Sequence, residues 1–365
     1  MRLPSSAMRF RVAGLPTHAI PKIQASGARP PRWATKGVVL RPGSSLNALL
    51  SPDFIVATDP DSPPRGLAGA VVAIGNFDGV HRGHQAVIAR AKALALELGR
   101  PTAVLTFEPH PADYFAGAPT IFRLTPAPAK ALALSRLGTV DGMIVRSFDA
   151  GFAGLGAEQF VVDVLVRRLG IAAAVVGYDF HFGKGRSGSP AYLREAGLRH
   201  GFAVAVIDKI VADARGDLAA VSSTAIRQRL ESGDVAGAAV LLGRHHFVLG
   251  TVIHGEKLGR QLGFPTANIR LEPAARLAHG IYAVRVRTAA GEFGGVASYG
   301  RRPTFDNGAP LLETVLFDFS GDLYGQTIEI DFVAWIRGEE RFGSAEALVA
   351  RMNMDAGEAR AILSR

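Results

Sequence analysis

Two histidines three residues apart, His81 and His84, stand in the run Gly75-Asn76-Phe77-Asp78-Gly79-Val80-His81-Arg82-Gly83-His84. At that spacing they share one helix face. An apolar strand, Ala70 to Ile74, leads into the run and a helix-patterned segment, Ala86 to Leu98, leads out. A helix start offers unpaired N–H groups and a partial positive charge, so this junction is suited to a phosphate. Gly75 and Gly79 let the backbone come close to a ligand, and Gly83 leaves room between the imidazoles. Imidazoles placed there could donate to the oxygens of an α-phosphoryl group during an in-line displacement. No nucleophilic side chain is required, because the phosphate of a second substrate could attack. The competing readings are a metal pair, which needs further ligands in a chain without cysteine, and simple capping or surface histidines.

Two other stretches have anion-binding chemistry. Ser222-Ser223-Thr224-Ala225-Ile226-Arg227 places hydroxyls and N–H groups at a helix start with an arginine one turn in. That makes either an anion clamp or an ordinary cap with a surface arginine. In His254–Asn268, Gly255, Gly259 and Gly263 alternate with Lys257 and Arg260 in a basic, pliable loop suited to a diphosphate. It does not match the G-x-x-x-x-G-K-[ST] loop. Beyond Pro265, Thr266 and Asn268 are hard oxygen donors two apart, able to face one side of a strand and hold Mg²⁺; a plain turn is the alternative. Glu313 is a carboxylate in an otherwise apolar strand and a candidate general base, or else an edge-strand surface residue.

The elements that must position these groups fall into two textures. From Leu67 to Ile207 near-continuous apolar strands alternate with helices: Ala70–Ile74, Gln85–Leu98, Thr102–Phe107, a helix from Pro126 to Leu137 capped by Thr125, Gly142–Val145, Ala157–Leu169, Ala172–Val176, Pro190–His200 and Ala203–Ile207. That pattern implies a parallel sheet covered on both faces, with ligands beyond the carboxyl ends of its strands. Two short helices follow, one from Ser222 and one over Val235–Leu242. After Gly243 short strands at His246–Val252, Gly280–Arg287, Gly294–Ser298, Glu313–Phe319 and Thr327–Phe332 suggest a closed antiparallel barrel, and Ser344–Ser364 a terminal helix.

Residues 1–52 carry eight Lys or Arg and no acid, leaving 33 basic against 32 acidic residues in the rest of the 365-residue chain, whose net charge is +9. The body is therefore nearly neutral, and a general nucleic-acid-binding role loses its support. No apolar run reaches the roughly 20 residues that span a bilayer. Residues 1–65 read as a basic, disordered extension ending in the linker Asp59–Pro64. A transit peptide or an upstream start with Met8 as the true first residue fits the same composition. Cysteine is absent, in keeping with a reducing compartment.

Taken together, the motifs resemble the bifunctional bacterial riboflavin kinase/FAD synthetase family. Gly75–His84 is similar to the H-x-G-H signature of nucleotidyltransferases, and Thr106–Pro111, Val176–Gly183 and Ser222–Arg227 narrow the likeness to the FAD-forming branch. Gly255–Asn268, Gly280–Tyr282, Gly295–Ala297, Gly300–Phe305 and Asp318–Gly325 resemble the riboflavin kinase. The resemblance implies a Rossmann-like nucleotidyltransferase domain over 66–243 and an antiparallel β-barrel kinase domain with a C-terminal helix over 244–365. It implies that Gly75, Asn76, Phe77, Asp78, His81, His84, Ser223, Thr224 and Arg227 bind ATP, and that Asp179 and Phe180 face flavin. In the kinase it implies that Gly255, Lys257, Gly259, Arg260, Gly263, Pro265 and Thr266 bind ATP, that Thr266 and Asn268 hold its Mg²⁺, and that Glu313 is the base. Riboflavin, FMN and ATP are then the small-molecule partners, FMN and FAD the products, and the bacterial cytoplasm the expected place. Two departures stand out: His181 replaces a residue often Arg or another polar type, and Arg244-His245-His246 replaces the usual Arg-Pro-Tyr at the domain junction. A cytidylyl- or pantetheine-phosphate adenylyltransferase would leave the second domain unexplained.

Overall fold

The structure, a computed structural model, describes residues 49–208, 221–255, 264–301 and 310–365. The expected Lys257, Gly259, Arg260 and Gly263 lie outside the described residues, as do residues 1–48 of the extension.

Six strands form the parallel sheet: β1 (Ile55–Thr58), β2 (Val71–Ile74), β3 (Thr102–Glu108), β4 (Gly142–Ser147), β5 (Ala173–Gly177) and β6 (Ala203–Ile207), in the order β1-β4-β3-β2-β5-β6. Successive residues of the central strands feed two different cores. Val72, Ile74, Leu105 and Val176 point into one, and Val71, Ala73, Val104 and Val175 into the other. Both faces are therefore buried, which is why the strands read as unbroken apolar runs. Helices α1 (Arg82–Leu98) and α3 (Ala127–Arg136) cover one face. The other carries α5 (Ala157–Gln159, continued by wider π-type turns over Phe160–Arg168) and α6 (Pro190–His200). Short helices α2 (Pro111–Ala116) and α4 (Ala150–Ala153) follow the carboxyl ends of β3 and β4.

Two expectations are corrected. Residues 1–65 are not all an unstructured extension: Ile55–Thr58 pairs in parallel with Gly142–Val145 as the edge strand. Past that strand, Asp59 accepts from the Ser147 N–H at 2.9 Å. The surrounding Pro, Ser and Asp residues hide a four-residue strand that pairs with β4 and packs Ile55 and Val56 on the two cores. Thr125 does not cap α3, which starts behind Pro126 without a side-chain cap; its hydroxyl accepts instead from the Gly79 N–H at 2.7 Å.

Helices α7 (Ser223–Glu231) and α8 (Val235–Leu242) link this unit to an antiparallel sheet of β7 (His246–Thr251), β8 (Thr266–Ile269), β9 (Gly280–Thr288), β10 (Gly291–Arg301), β11 (Pro310–Leu316) and β12 (Thr327–Arg337), ordered β7-β12-β9-β10-β11-β8. A bridge between Ile253, just past β7, and Asn268 of β8 brings the two ends of the sheet together, as a barrel requires. The final helix α9 (Ala345–Leu363) packs Ala359 on Ala283 and Phe317.

The two units share a core. Ile226, Leu230, Val235 and Leu242 of α7 and α8 sit with Phe122 and Leu124 of the first unit and with Tyr282, Val284 and Phe332 of the barrel. Charge also crosses the boundary: Arg136 of α3 grips the fully buried Glu329 of β12 through two bonds of 2.5 and 2.6 Å, and Arg287 binds Glu329 and Asp331 at 2.8 Å each. His246 is buried and stacked on Phe332 at 5.7 Å, so this departure from the usual tyrosine sits in packing.

Candidate active sites

The turn from β2 into α1 is tightly wound. Phe77, Gly79 and Val80 all have positive φ, 48°, 89° and 44°, conformations that non-glycine residues hold only when their surroundings impose them. Asp78 does much of the imposing. Its buried carboxylate accepts from the Leu124 N–H at 3.2 Å and the Thr125 N–H at 2.9 Å, and pairs with Arg227 at 2.5 Å. Burial alone would push the Asp78 carboxyl up, but Arg123, the Thr125 N–H, Lys130 and Arg227 outweigh it and keep it ionised.

His81 caps α1, its Nδ1 accepting from the His84 N–H at 3.3 Å. The His81 and His84 rings stack with centroids 3.6 Å apart and planes 14° off parallel, and Phe77 meets His84 edge-on at 5.1 Å. Burial drives both imidazoles to the neutral form: His81 titrates at about 4, and His84 is held well below 6.5 by burial and then by His81 and Lys130. With Nδ1 accepting, a neutral His81 carries its proton on Nε2 and is a donor there. His84 Nδ1 is buried with no protein partner, so its hydrogen-bonding capacity is free for a group from outside the protein.

Behind the pair lies a set of charges that sequence reading did not assign. Lys130, within the apolar run of α3, is fully buried and donates to Thr106 Oγ1 at 2.9 Å and Glu108 Oε1 at 3.3 Å; Arg123 holds the same Glu108 oxygen at 2.5 Å. Burial pushes the Lys130 ammonium down despite Glu108, and two cations hold Glu108 low despite burial. Glu108 belongs to the quoted Thr106–Pro111 motif, but Lys130 reads in sequence as one polar residue on a helix.

Of the expected ATP residues, Gly75, Asn76, Phe77, Asp78, His81 and His84 stand in this turn. The Asn76 carbonyl accepts from Thr106 Oγ1 at 3.0 Å, and the Gly75 N–H donates to the Leu105 carbonyl at 3.1 Å. Ser223 reaches the turn, donating to the Asp78 carbonyl at 2.9 Å, and Arg227 also donates to the Phe122 carbonyl at 2.7 Å. Thr224 is exposed beside them. Asp179 is exposed and Phe180 half-buried, stacked on Phe182 at 5.4 Å, past β5 on the same sheet edge.

The second candidate site is on the barrel. Thr266 and Asn268 lie on β8, and Asn268 is directly opposite Glu313 of β11. Asn268 is buried, its Nδ2 donates to the Thr266 carbonyl at 3.4 Å, and its Oδ1 has no protein partner. A buried carbonyl oxygen without a donor is unfavourable unless a cation or ligand meets it. Gly255 lies against this amide, where a Cβ would come within 2.5 Å of Asn268 Nδ2. Pro265 is exposed, and Thr266 and Glu313 are half-buried. Among the described residues no group of three or more His, Cys, Asp or Glu could hold a metal. The hydroxyl and amide oxygens here are of the hard type that could hold a magnesium ion, with polyphosphate and water to supply further ligands.

Two family profiles divide the chain along the same line. The FAD synthetase profile matches residues 64–225, and the riboflavin kinase profile residues 242–363. A bifunctional riboflavin kinase/FMN adenylyltransferase of Haemophilus influenzae is 43% identical over 304 residues, covering 82% of this chain and 96% of that one. The chain belongs to the bifunctional riboflavin kinase/FMN adenylyltransferase family. It is a riboflavin kinase and an FMN adenylyltransferase, an FAD synthetase in the second capacity.

Another relative of that name, from Pseudomonas fluorescens, is 41% identical over 295 residues, with 80% of this chain and 93% of its own covered. A solved structure described as a macrolide-efflux protein from Streptococcus pneumoniae superposes with a TM-score of 0.69 at 28% identity, covering 84% of this chain and 99% of that one. Efflux is a statement about that protein. Among the described residues here, no helix is long and apolar enough to cross a membrane.

Proposed function

We propose that the two reactions of this bifunctional enzyme run at the two sites described above, in the order kinase then adenylyltransferase. At the barrel, Glu313 takes the proton of the ribityl hydroxyl of riboflavin, the oxygen attacks the γ-phosphorus of ATP, and ADP leaves with FMN formed. Asn268 and Thr266 would hold Mg²⁺, which when bound offsets charge on the polyphosphate. Gly255 leaves the space in which phosphate can approach the Asn268 amide. Lys257, Gly259, Arg260, Gly263 and Pro265 belong to the same proposed ATP loop.

At the β2–α1 turn a phosphate oxygen of FMN bonds to the α-phosphorus of a second ATP, the bond to the β-phosphate oxygen breaks, and pyrophosphate leaves with FAD formed. His81 donates from Nε2 and His84 from its ring to the α-phosphoryl oxygens as their charge grows. Neutral imidazoles suit this role, since they donate without surrendering a proton to the displaced pyrophosphate. Lys130 supplies a fixed positive charge behind them. Ser223 and Arg227 brace the turn, and Thr224, exposed at the start of α7, is left to meet phosphate. Asp179 and Phe180 face the flavin. A first module that takes in β1 and ends at residue 243, a second over 244–365 and a cytoplasmic location complete the reading; no nucleic acid or membrane takes part.

The observation that carries this assignment is the stacked, neutral histidine pair at the start of α1, with an unpartnered buried ring nitrogen. One incubation with riboflavin, ATP and Mg²⁺, with FMN and FAD separated by chromatography, tests it in wild-type and His84→Ala proteins. Loss of FAD with FMN retained is expected. Loss of both products from a folded His84→Ala protein would rule out separate sites.

A further inference from the structure

Three successive carbonyls of the β2–α1 turn are each held by a side chain from beyond the turn. Ser223 Oγ donates to the Asp78 carbonyl, Arg244 Nη2 to the Gly79 carbonyl and Gln85 Nε2 to the Val80 carbonyl, each at 2.9 Å. The Gln85 amide also donates to the Leu242 carbonyl at 2.8 Å. Ser223, Leu242 and Arg244 all come from the segment that joins the two modules. A turn with positive φ at Phe77, Gly79 and Val80 needs such support. Gly79 is its soft point, because a residue without a side chain rotates its peptide freely. The Asp78–Gly79 peptide is fixed by Thr125 Oγ1 on its N–H and Ser223 on its carbonyl, and the Gly79–Val80 peptide is held at its carbonyl by Arg244. His81 then enters α1 in one direction only.

Arg244 is poorly suited to stabilising the fold. Its Nε is buried without a partner. Burial lowers its pKa to about 10, with Arg136 adding repulsion against the attraction of Asp331 and Glu329. It lies 5.3 Å over the Phe247 ring, and Arg136 lies 5.8 Å over the same ring. A partly satisfied buried guanidinium beside another cation is a poor choice for packing alone, since an apolar side chain of similar size often serves as well or better.

We propose that Arg244 is a positioning residue for the adenylyltransferase: by holding the Gly79 carbonyl from the kinase side of the junction, it sets how His81 and His84 meet the phosphates. This rests on the assignment of FAD formation to the histidine site. The kinase module is thereby a structural part of the other module's active site.

The test is Arg244→Met in the full chain, which keeps the bulk and removes the donors, beside Arg244→Lys and a His84→Ala control. FMN and FAD formation are measured in the same samples. For Arg244→Met, kcat for FAD formation should fall about 10- to 100-fold, the loss that a small misplacement of catalytic groups produces. KM for FMN should stay within about twofold, as expected when the loss is confined to the transition state. FMN formation should be unchanged and the melting temperature the same or higher. Arg244→Lys, able to give one bond to Gly79, should recover part of the rate.

Wild-type FAD kcat in Arg244→Met, with His84→Ala inactive, overturns the inference alone. A parallel fall of both activities with a lower melting temperature overturns it too, since that is a structural role. FAD formation surviving His84→Ala overturns the site assignment and this inference with it. Should Arg244→Met fail to fold, Arg244→Gln, two bonds too short to reach Gly79, is read by the same criteria.

Discussion

The enzyme handles ATP twice, with two opposite kinds of site. The β2–α1 turn is built in advance: buried charges pair with one another (Asp78 with Arg227, Glu108 with Arg123 and Lys130), and two imidazoles stack in a fixed pose. The barrel site around Asn268 sets amide and hydroxyl oxygens, one of them buried and unsatisfied, on a strand whose neighbour carries Glu313 directly opposite. On the proposed assignment the first would stabilise developing charge with groups already in place. The second would rely on a bound ligand to meet the Asn268 oxygen. The difference suits the two reactions, because the adenylyltransferase must steer attack to the α-phosphorus, whereas the kinase transfers the terminal γ-phosphoryl group.

The sharpest way to break the comparison is to remove one donor from each side. His84→Ala should cut FAD formation by about 100- to 1,000-fold, the usual loss for one donor to transition-state charge, and leave FMN formation intact. Asn268→Ala and Glu313→Ala should do the reverse, FAD still forming from supplied FMN. Chromatography of products from riboflavin and from FMN separates the two steps. A variant that lost both activities while folded would mean that the sites are not independent.

The next largest effect concerns the prebuilt charges. Glu108→Gln leaves Lys130 and Arg123 sharing a buried space without their counter-ion. Breaking a buried pair from one side typically costs about 3–5 kcal/mol, so the protein should melt well below the wild type and lose FAD formation. The double variant Glu108→Gln/Lys130→Met should regain much of the stability and none of the FAD activity. Thermal melts beside activity assays check both halves, and recovery of activity in the double variant would remove Lys130 from the reaction.

A smaller effect comes from pH. Burial holds His81 at about 4 in the fold against an ordinary 6.5, so the unfolded chain takes up its proton first. The sign follows: stability is full above pH 6.5 and drops as pH falls toward 4. The total from this one group is about 3 kcal/mol at 1.36 kcal/mol per pKa unit. The acid limb that His81 imposes on FAD formation should lie near pH 4. At the barrel Thr266 and Asn268 do not titrate in this range. Histidine NMR titration locates the His81 step, and a value near 6.5 would show an imidazole open to water.

The strand–helix alternation and the histidine turn were legible because parallel strands buried on both faces leave unbroken apolar runs, and because a glycine turn before a helix has few other uses. The barrel strands were legible by alternation, yet their lengths were not: β10 runs over Gly291–Arg301, past the expected Gly294–Ser298, because glycines within it read as ends. Other features depended on which residues meet across the fold. Lys130 sits in Ala-Pro-Ala-Lys-Ala-Leu-Ala-Leu, where a single lysine suggests a solvent face, and only the approach of Glu108 shows it to be buried. Arg227 read as either a ligand clamp or a surface arginine, and its pairing with Asp78, 149 positions away, could not be read from either. Thr125 read as a helix cap from its place before proline, but the Gly79 N–H, 46 positions away, claims its hydroxyl. Local signals name the chemistry of a residue, and long-range pairing decides its partner.

The smallest effect separates holding the turn from holding the helix that reaches it. Ser222 caps α7, its Oγ accepting from the Ala225 N–H at 3.2 Å, whereas Ser223, one residue on, donates to the Asp78 carbonyl. Ser222→Ala should cost about 1 kcal/mol, the usual worth of a cap, and lower the melting point by about 2–4 °C. Neither activity should change at 25 °C, because Ile226 and Leu230 hold α7 in the core shared with the barrel. Ser223→Ala removes a similar bond but from the turn, so its effect should fall on the rate of FAD formation with little change in melting. If Ser222→Ala also slowed FAD formation selectively, the cap and the turn would form one mechanical unit, and the prebuilt site would extend into α7.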